Sequence, residues 1–372
     1  MPRVALVHAI VRAGGASVRL QWWKEVLALS GVSTVDVPLI TPGRAVLPRG
    51  IARLGAVASG INAPETLAWS GPALRRRLAA MAPDGVVVLS LRAFDPAVLP
   101  DGVPVVLDYV DRLSVSYRQR SLIEHRRLRQ SAWRLLGGAM ERVEASSSTA
   151  GVVTTAVGCR DAAALGATWL PITLAAGSTG HRPLPTTLPE RRWDGLFVGT
   201  LDYGPNVAAV RALATSIWPE VVRLRPESSL CIAGRRPTAE VRNLVAAMGA
   251  ELVVDFEEPA DLMTRALMSI APLPLATGMQ IKVLEAAAAG HPLVISPAAA
   301  AGLAPGFPAR VATVGIPFAR QLVDLFDDPG AAAELGIAGR TAVQRCYTHE
   351  RWAPLATGLF GWPGDSEPAG DR

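Results

Sequence analysis

Lysine is almost missing from this chain. Of its 37 basic residues only Lys24 and Lys282 are lysines, and the other 35 are arginine. With so much alanine beside the arginine, this is the stamp of a biased genome composition, so the net charge of +5 is weak evidence for a polyanionic partner. Aromatic residues make up only 5%. No stretch interleaves them with basic residues as base-stacking surfaces do, which argues against nucleic acid. The three cysteines, Cys159, Cys231 and Cys346, are far apart and odd in number. That pattern excludes a disulfide framework and a cysteine-rich metal site, and it suits a reducing compartment, so a cytoplasmic location is expected.

Other absences narrow the field further. There is no run of about 20 apolar residues free of charge, glycine and proline, as a membrane-spanning helix would need. The opening MPRVALVHAIVRAGG lacks a signal-peptide cleavage pattern and reads as a first buried strand. HExxH, a nucleophile elbow and GxGxxG are absent, and Asp36 alone does not make a dinucleotide fingerprint.

What is present is alternation. At 372 residues the chain exceeds the roughly 250–300 residues at which single cores stop growing, so two domains are expected. Apolar runs at 4–9, 32–38, 85–91, 103–107 and 152–155 read as strands, and the segments 18–29, 74–81 and 113–144 carry helical spacing. The same alternation resumes with strands at 195–199, 229–233, 252–255 and 269–272 and helices at 206–214, 239–248, 259–267 and 318–347. Near-continuous apolar strands between helices indicate parallel sheets covered on both faces. Between the two series, AAGSTGHRPLPTTLPE at 175–190 has the composition of a linker. The expected organisation is α/β: a doubly wound domain over 1–175, a linker over 176–190 and a second such domain over 191–349, with a cleft between them. A segment at about 350–362 packs back on the first domain, and a loose tail covers 363–372.

The stretch with the most chemistry is TGMQIKVLEAAAAGHPLVIS at 277–296. A turn at Gly278 feeds a helix at about Ile281, and such a helix start presents free N–H groups suited to a diphosphate. Lys282 adds a mobile positive charge in the first turn, and Glu285 follows on the same face. Gly290 ends the helix. The plainer alternative is an exposed Lys–Glu pair worth roughly 0.2–0.5 kcal/mol.

Several segments, in order, carry a resemblance. FVGTLDYGPNVAAVRAL at 197–213, LCIAGRRP at 230–237, SIAPLPLATGMQIKVLEAAAAGHPLVIS at 269–296 and RCYTHERW at 345–352 resemble the nucleotide-binding half of GT-B glycosyltransferases, specifically glycosyltransferase family 4 (glycosyl transferases group 1). The first half is similar mainly in layout, with DYVD at 108–111 its best local match. The resemblance implies a GT-B fold of two Rossmann-like domains facing a cleft. It also implies sugar transfer from a nucleoside diphosphate sugar to a hydroxyl or amine acceptor, possible retention of configuration, and no cofactor besides that co-substrate. No Asp-x-Asp motif stands in the right place for a metal, so none is expected.

The implied donor-binding residues are Gly15, Gly199, Thr200, Arg235, Thr277, Gly278, Met279, Gln280, Ile281, Lys282 and Glu285, with Glu285 gripping the ribose hydroxyls. The family usually carries a second glutamate where Thr277 stands here, a departure that bears on the identity of the donor. Asp108, Asp111 and Lys282 are the catalytic candidates. At least one of the two aspartates is expected to face the cleft, with helix capping as the alternative for Asp111. Asn206 is expected to cap its helix or face the cleft, and Gly14 with Gly15 to form the loop after the first strand. His8 is read as a satisfied core residue, His125 as solvated and His291 as part of a helix cap. Arg235 and its neighbour Arg236 meet a phosphate or make an ordinary turn. The basic segment RQRSLIEHRRLRQSAWR at 118–134 is a solvated helix face or a peripheral membrane contact. The acceptor, a lipid-linked glycan or a small natural product, is not identified by the residues. Rival readings are a sugar-nucleotide epimerase and a non-catalytic nucleotide-binding or partner protein.

Overall fold

The computed structural model describes residues 1–9, 15–39, 71–124, 126–147, 151–175 and 192–362. The linker at 176–190, the tail at 363–372, Gly14 and His125 lie outside them. The chain divides into two compact units. The first holds Met1–Thr173, Thr277–Met279 and His349–Arg372, and the second holds Leu174–Ala276 and Gln280–Thr348.

In the first unit the elements run β1 (Arg3–His8), α1 (Gly15–Leu29), β2 (Ser33–Pro38), α2 (Gly71–Met81), β3 (Gly85–Leu89), β4 (Val105–Tyr109), α3 (Leu113–Ile123), α4 (Arg127–Ser146), β5 (Val152–Ala156), α5 (Cys159–Leu165) and β6 (Thr168–Trp169). The strands form one parallel sheet in the order β2-β1-β3-β4-β5-β6. Every residue of β3 and β4 is buried, because helices cover both faces. Ala5, Val7, Val86, Val88 and Leu107 meet Leu74, Leu78, Met140 and Val143 from α2 and α4 in one core. On the other face lie Trp22 and Trp23 of α1, which are 2% and 0% exposed. The expected single helix over 113–144 is two helices. They break at Glu124–Arg126, where the Glu124 carboxylate accepts the Arg126 N–H at 3.0 Å. The break lets α3 and α4 fold against each other, with Tyr117 and Trp133 rings 5.4 Å apart.

The second unit runs β7 (Trp193–Val198), α6 (Gly204–Ala212), α7 (Trp218–Leu224), β8 (Leu230–Ala233), α8 (Ala239–Ala247), β9 (Glu251–Val253), α9 (Pro259–Met263), β10 (Ala266–Ala271), α10 (Ile281–Ala288), β11 (Leu293–Ile295), α11 (Pro297–Ala300), β12 (Arg310–Val311), α12 (Ile316–Asp327) and α13 (Pro329–Cys346). Its parallel sheet has the order β12-β11-β10-β7-β8-β9. The order reverses between β7 and β10, the place where doubly wound sheets bind ligands at their carboxyl ends. The expected helix over 318–347 is also two helices. Asp328 accepts the Ala331 N–H at 2.9 Å and Pro329 starts the next helix, a stop-and-restart signal.

Helix α10 closes on Gly290 as expected. Gly290 has φ +75°, its N–H donates to the Ala287 carbonyl at 2.8 Å, and the His291 N–H donates to Ala286 at 2.9 Å. This is a Schellman cap. The His291 ring does more than flank it. Buried, with Ser269 Oγ at 2.7 Å and the Ala266 carbonyl at 2.9 Å, it has its pKa pulled down to about 4 by burial. A further helix, α14 (His349–Gly358), belongs to the first unit. It is tied to that unit through His349, which meets Thr173 Oγ1 and Glu25 Oε2, each at 2.9 Å.

Candidate functional site

In the second unit the carboxyl ends of β7 and β8 are pressed together by glycines. A Cβ on Gly234 would lie 1.8 Å from the Gly199 carbonyl oxygen, and one on Gly199 would lie 2.7 Å from the Asn206 amide. Only glycine permits either approach. At Gly199 the crowding comes from Asn206. The structure corrects its expected capping role: Tyr203 occupies the N-cap of α6, and Asn206 is 6% exposed. Its amide donates to the Thr200 carbonyl at 3.0 Å, and its Oδ1 accepts from Lys282 Nζ at 2.7 Å.

Lys282, in the first turn of α10, therefore reaches back to the start of α6 at the sheet's switch point. Its Nζ also sits 4.7 Å from the centroid of the Phe197 ring, a cation–π contact. Loss of hydration pulls its pKa down to about 7, opposed by the charge of Glu285. The Glu285 carboxyl is shifted upward, first by burial and then by Glu258, against the pull of Lys282. Thus two of the proposed donor residues, Lys282 and Glu285, lie on one turn of one helix. Gln280 is the N-cap of that helix and its side chain makes no cap bond to it, Ile281 begins it, and the Val283 N–H donates to the Gln280 carbonyl at 2.9 Å. Arg235 is exposed and its carbonyl accepts the Leu201 N–H at 2.8 Å. Arg236, at φ +54°, is held by Asp202 at 2.8 Å.

Thr277, Gly278 and Met279 cluster with the first unit. Gly278 is at φ +61°, its N–H donates to Asp161 Oδ2 at 3.1 Å, and a Cβ there would lie 2.5 Å from the Val110 carbonyl oxygen. Burial raises the pKa of Asp161, with the Gly278 N–H working against it.

The catalytic candidates of the first unit separate sharply. Asp108 is fully buried and its oxygens are saturated. Arg19 Nε and Nη2 donate at 2.7 and 3.0 Å, Trp23 Nε1 at 2.9 Å and Thr155 Oγ1 at 2.7 Å. Such a carboxylate has no lone pair left to take an acceptor proton, and its place is structural. Asp111 is part-exposed and pairs with Arg92 at 3.1 Å. It does not cap α3 either, for the Ser114 N–H is taken by Glu144 at 2.9 Å. Gly15 opens α1, and a Cβ there would touch nothing within 4 Å. His8 departs from its expected role. It is 7% exposed at the carboxyl end of β1, and neither ring nitrogen has a partner among the described residues.

Residues 194–328 match the family model of Glycosyl transferases group 1. No curated protein sequence matches the chain. Among solved structures, sucrose-phosphate synthase from Thermosynechococcus elongatus is similar at TM-score 0.67 and 16% identity, covering 97% of this chain and 98% of its own. A glycosyltransferase from Rickettsia africae follows at 0.64 and 9%, covering 96% and 97%. HepE from Anabaena, in complex with UDP-glucose, gives 0.63 and 12%, covering 96% and 99%. The fold is GT-B. The matched segment of this GT-B chain contains Gly199, Asn206, Gly234, Lys282 and Glu285, so the family match and the glycine-pressed switch point coincide.

Two features of the site escaped the sequence reading. Pro205-Asn206 looks like any helix start, and nothing local ties Asn206 to a lysine 76 residues on. Arg19 is one arginine among 35, and only its burial beside Asp108 singles it out.

Proposed function

We propose that this chain transfers a sugar from a nucleoside diphosphate sugar to a hydroxyl or amine acceptor, with the nucleotide held by the second unit. The observation that carries the reading is the Lys282 ammonium, fixed on Asn206 at 2.7 Å in the first turn of α10. In the reaction the acceptor atom attacks the anomeric carbon, and the bond to the diphosphate breaks with its electron pair on the leaving oxygen. Negative charge grows there, and a lysine with preoriented N–H groups is suited to receive it. Glu285, one turn further along α10, offers two acceptor oxygens for a vicinal diol. The leaving group is met by lysine and backbone, and we assign no metal or other cofactor to it. Retention of configuration is the outcome that the family resemblance favours.

Structures of the similar HepE hold UDP and UDP-glucose, which makes uridine the first base to try. Isothermal titration with UDP, GDP, ADP and dTDP, without and then with magnesium, tests the reading. One nucleotide is expected to bind without metal, and Lys282→Ala to weaken it at least about 100-fold, the loss of a charge-assisted contact to phosphate. Absence of binding to all four would overturn the assignment.

A further inference from the structure

The positive charge of this chain is concentrated in one place. Between Arg118 and Leu135 six arginines face one glutamate, a net of +5 that equals the +5 of the whole chain. The same hairpin, α3–α4, carries Leu128, Leu135 and Leu122 at 89%, 76% and 68% exposure, which are, with Met1, the most exposed large hydrophobic side chains among the described residues. Leu128 and Leu135 are two turns apart on α4 and share a face. Arg127 and Arg134 stand one residue before each of them, and all four are exposed, as are Arg126 and Arg129. The inner arginines are otherwise engaged: Arg118 pairs with Glu141, and Arg120 lies 5.7 Å from the Tyr117 ring and 5.3 Å from the Trp133 ring. The carboxyl-terminal half of α4, with Ala139, Met140 and Val143, is buried in the core, whereas Leu128 and Leu135, in the other half, stand clear of it.

We propose that the α3–α4 hairpin docks on an anionic lipid bilayer, with Leu122, Leu128 and Leu135 entering the headgroup boundary and Arg126, Arg127, Arg129 and Arg134 meeting lipid phosphates. Exposed leucines between arginines fit a surface that is apolar below and negative above. Nucleic acid would use the arginines and leave the leucines in water, and no exposed aromatic stands among them to stack a base. Among the described residues no helix is long and apolar enough to cross a membrane, so the contact is peripheral. The inference goes beyond the donor site and does not depend on it.

The full chain is sedimented with vesicles of phosphatidylcholine alone and of phosphatidylcholine with about one-third phosphatidylglycerol, a composition that gives the strongly negative surface the arginines need. Binding is expected only to the second, falling as salt rises. Each arginine at such a surface contributes about fivefold in partitioning, so replacing Arg126, Arg127, Arg129 and Arg134 by Gln lowers it on the order of 100-fold or more. Leu128→Ser with Leu135→Ser lowers it at least about tenfold, while circular dichroism and nucleotide binding stay those of the wild type. No binding to anionic vesicles at low salt overturns the proposal. So does equal binding by the leucine variant, which would reduce the hairpin to a patch for any polyanion, and a DNA fragment bound as tightly as the vesicles would name that alternative.

Discussion

At the scale of single residues, the two carboxylates and the lysine singled out in the sequence have opposite fates. Asp108 is saturated by Arg19, Trp23 and Thr155. Asp108→Ala would strand the Arg19 charge, which is fully buried, and is expected to cost the first unit about 3–5 kcal/mol in urea unfolding. A catalytic residue exchanged for alanine would leave the unfolding midpoint nearly in place. Lys282 carries the contrasting expectation. Its free pKa is near 7 and a diphosphate favours the charged form. The groups that set its charge are Glu285 on its own helix and, through Glu285, Glu258 from the start of α9. Donor binding therefore draws a proton onto the amine: affinity is greatest below the free pKa and declines as pH rises through it, levelling above the pKa of the complex. Titrating a nucleoside diphosphate sugar from about pH 6 to about pH 9, in buffers of different ionisation heat, should show that decline and the proton uptake. Lys282→Arg should remove the slope, and a flat wild-type curve would mean the amine is already charged without ligand. None of this was readable from the chain order, because the partners of Asp108 and Lys282 stand 89, 85, 47 and 76 residues away.

At the scale of elements, legibility followed locality. The Gly290 stop was evident in AAAAGHP because a Schellman cap is written within a few residues. Gly290→Ala forces a β-carbon into the left-handed region and within 2.9 Å of the Arg340 guanidinium. It is expected to cost about 1–2 kcal/mol, read as a lowered midpoint in thermal unfolding. The break between α3 and α4 had no glycine or proline to announce it. It is made by tertiary contacts, with Glu144 of α4 holding the start of α3 through the Ser114 N–H at 2.9 Å and hydroxyl at 2.6 Å. The alternation of apolar and helical segments did announce both sheets, since strands buried on two faces must be apolar throughout. Their strand orders, and hence the switch point beside Lys282, depend on pairings between distant segments.

At the scale of the molecule, the chain visits the first unit, then the second, then the first again. Helix α14 returns His349 to Glu25 and Thr173, while Trp22 Nε1 donates to the same Thr173 hydroxyl at 2.6 Å. Phe360 lies so close over Gly85 that a Cβ there would meet it at 2.6 Å. Removal of residues 349–372 is thus expected to loosen the first unit, seen as faster amide exchange in β1 and α1, while strands β7 to β11 keep their protection. The same route through the chain has a temporal side. A ribosome delivers Met1–Thr173 first, yet that unit lacks α14 until the whole of the second has been made. At roughly 5–20 residues per second, Trp22 waits on the order of ten to thirty seconds for the His349 ring that lies beside it. During that interval the nascent first unit is the species that chaperones would meet, and the second unit is the first to be able to finish folding.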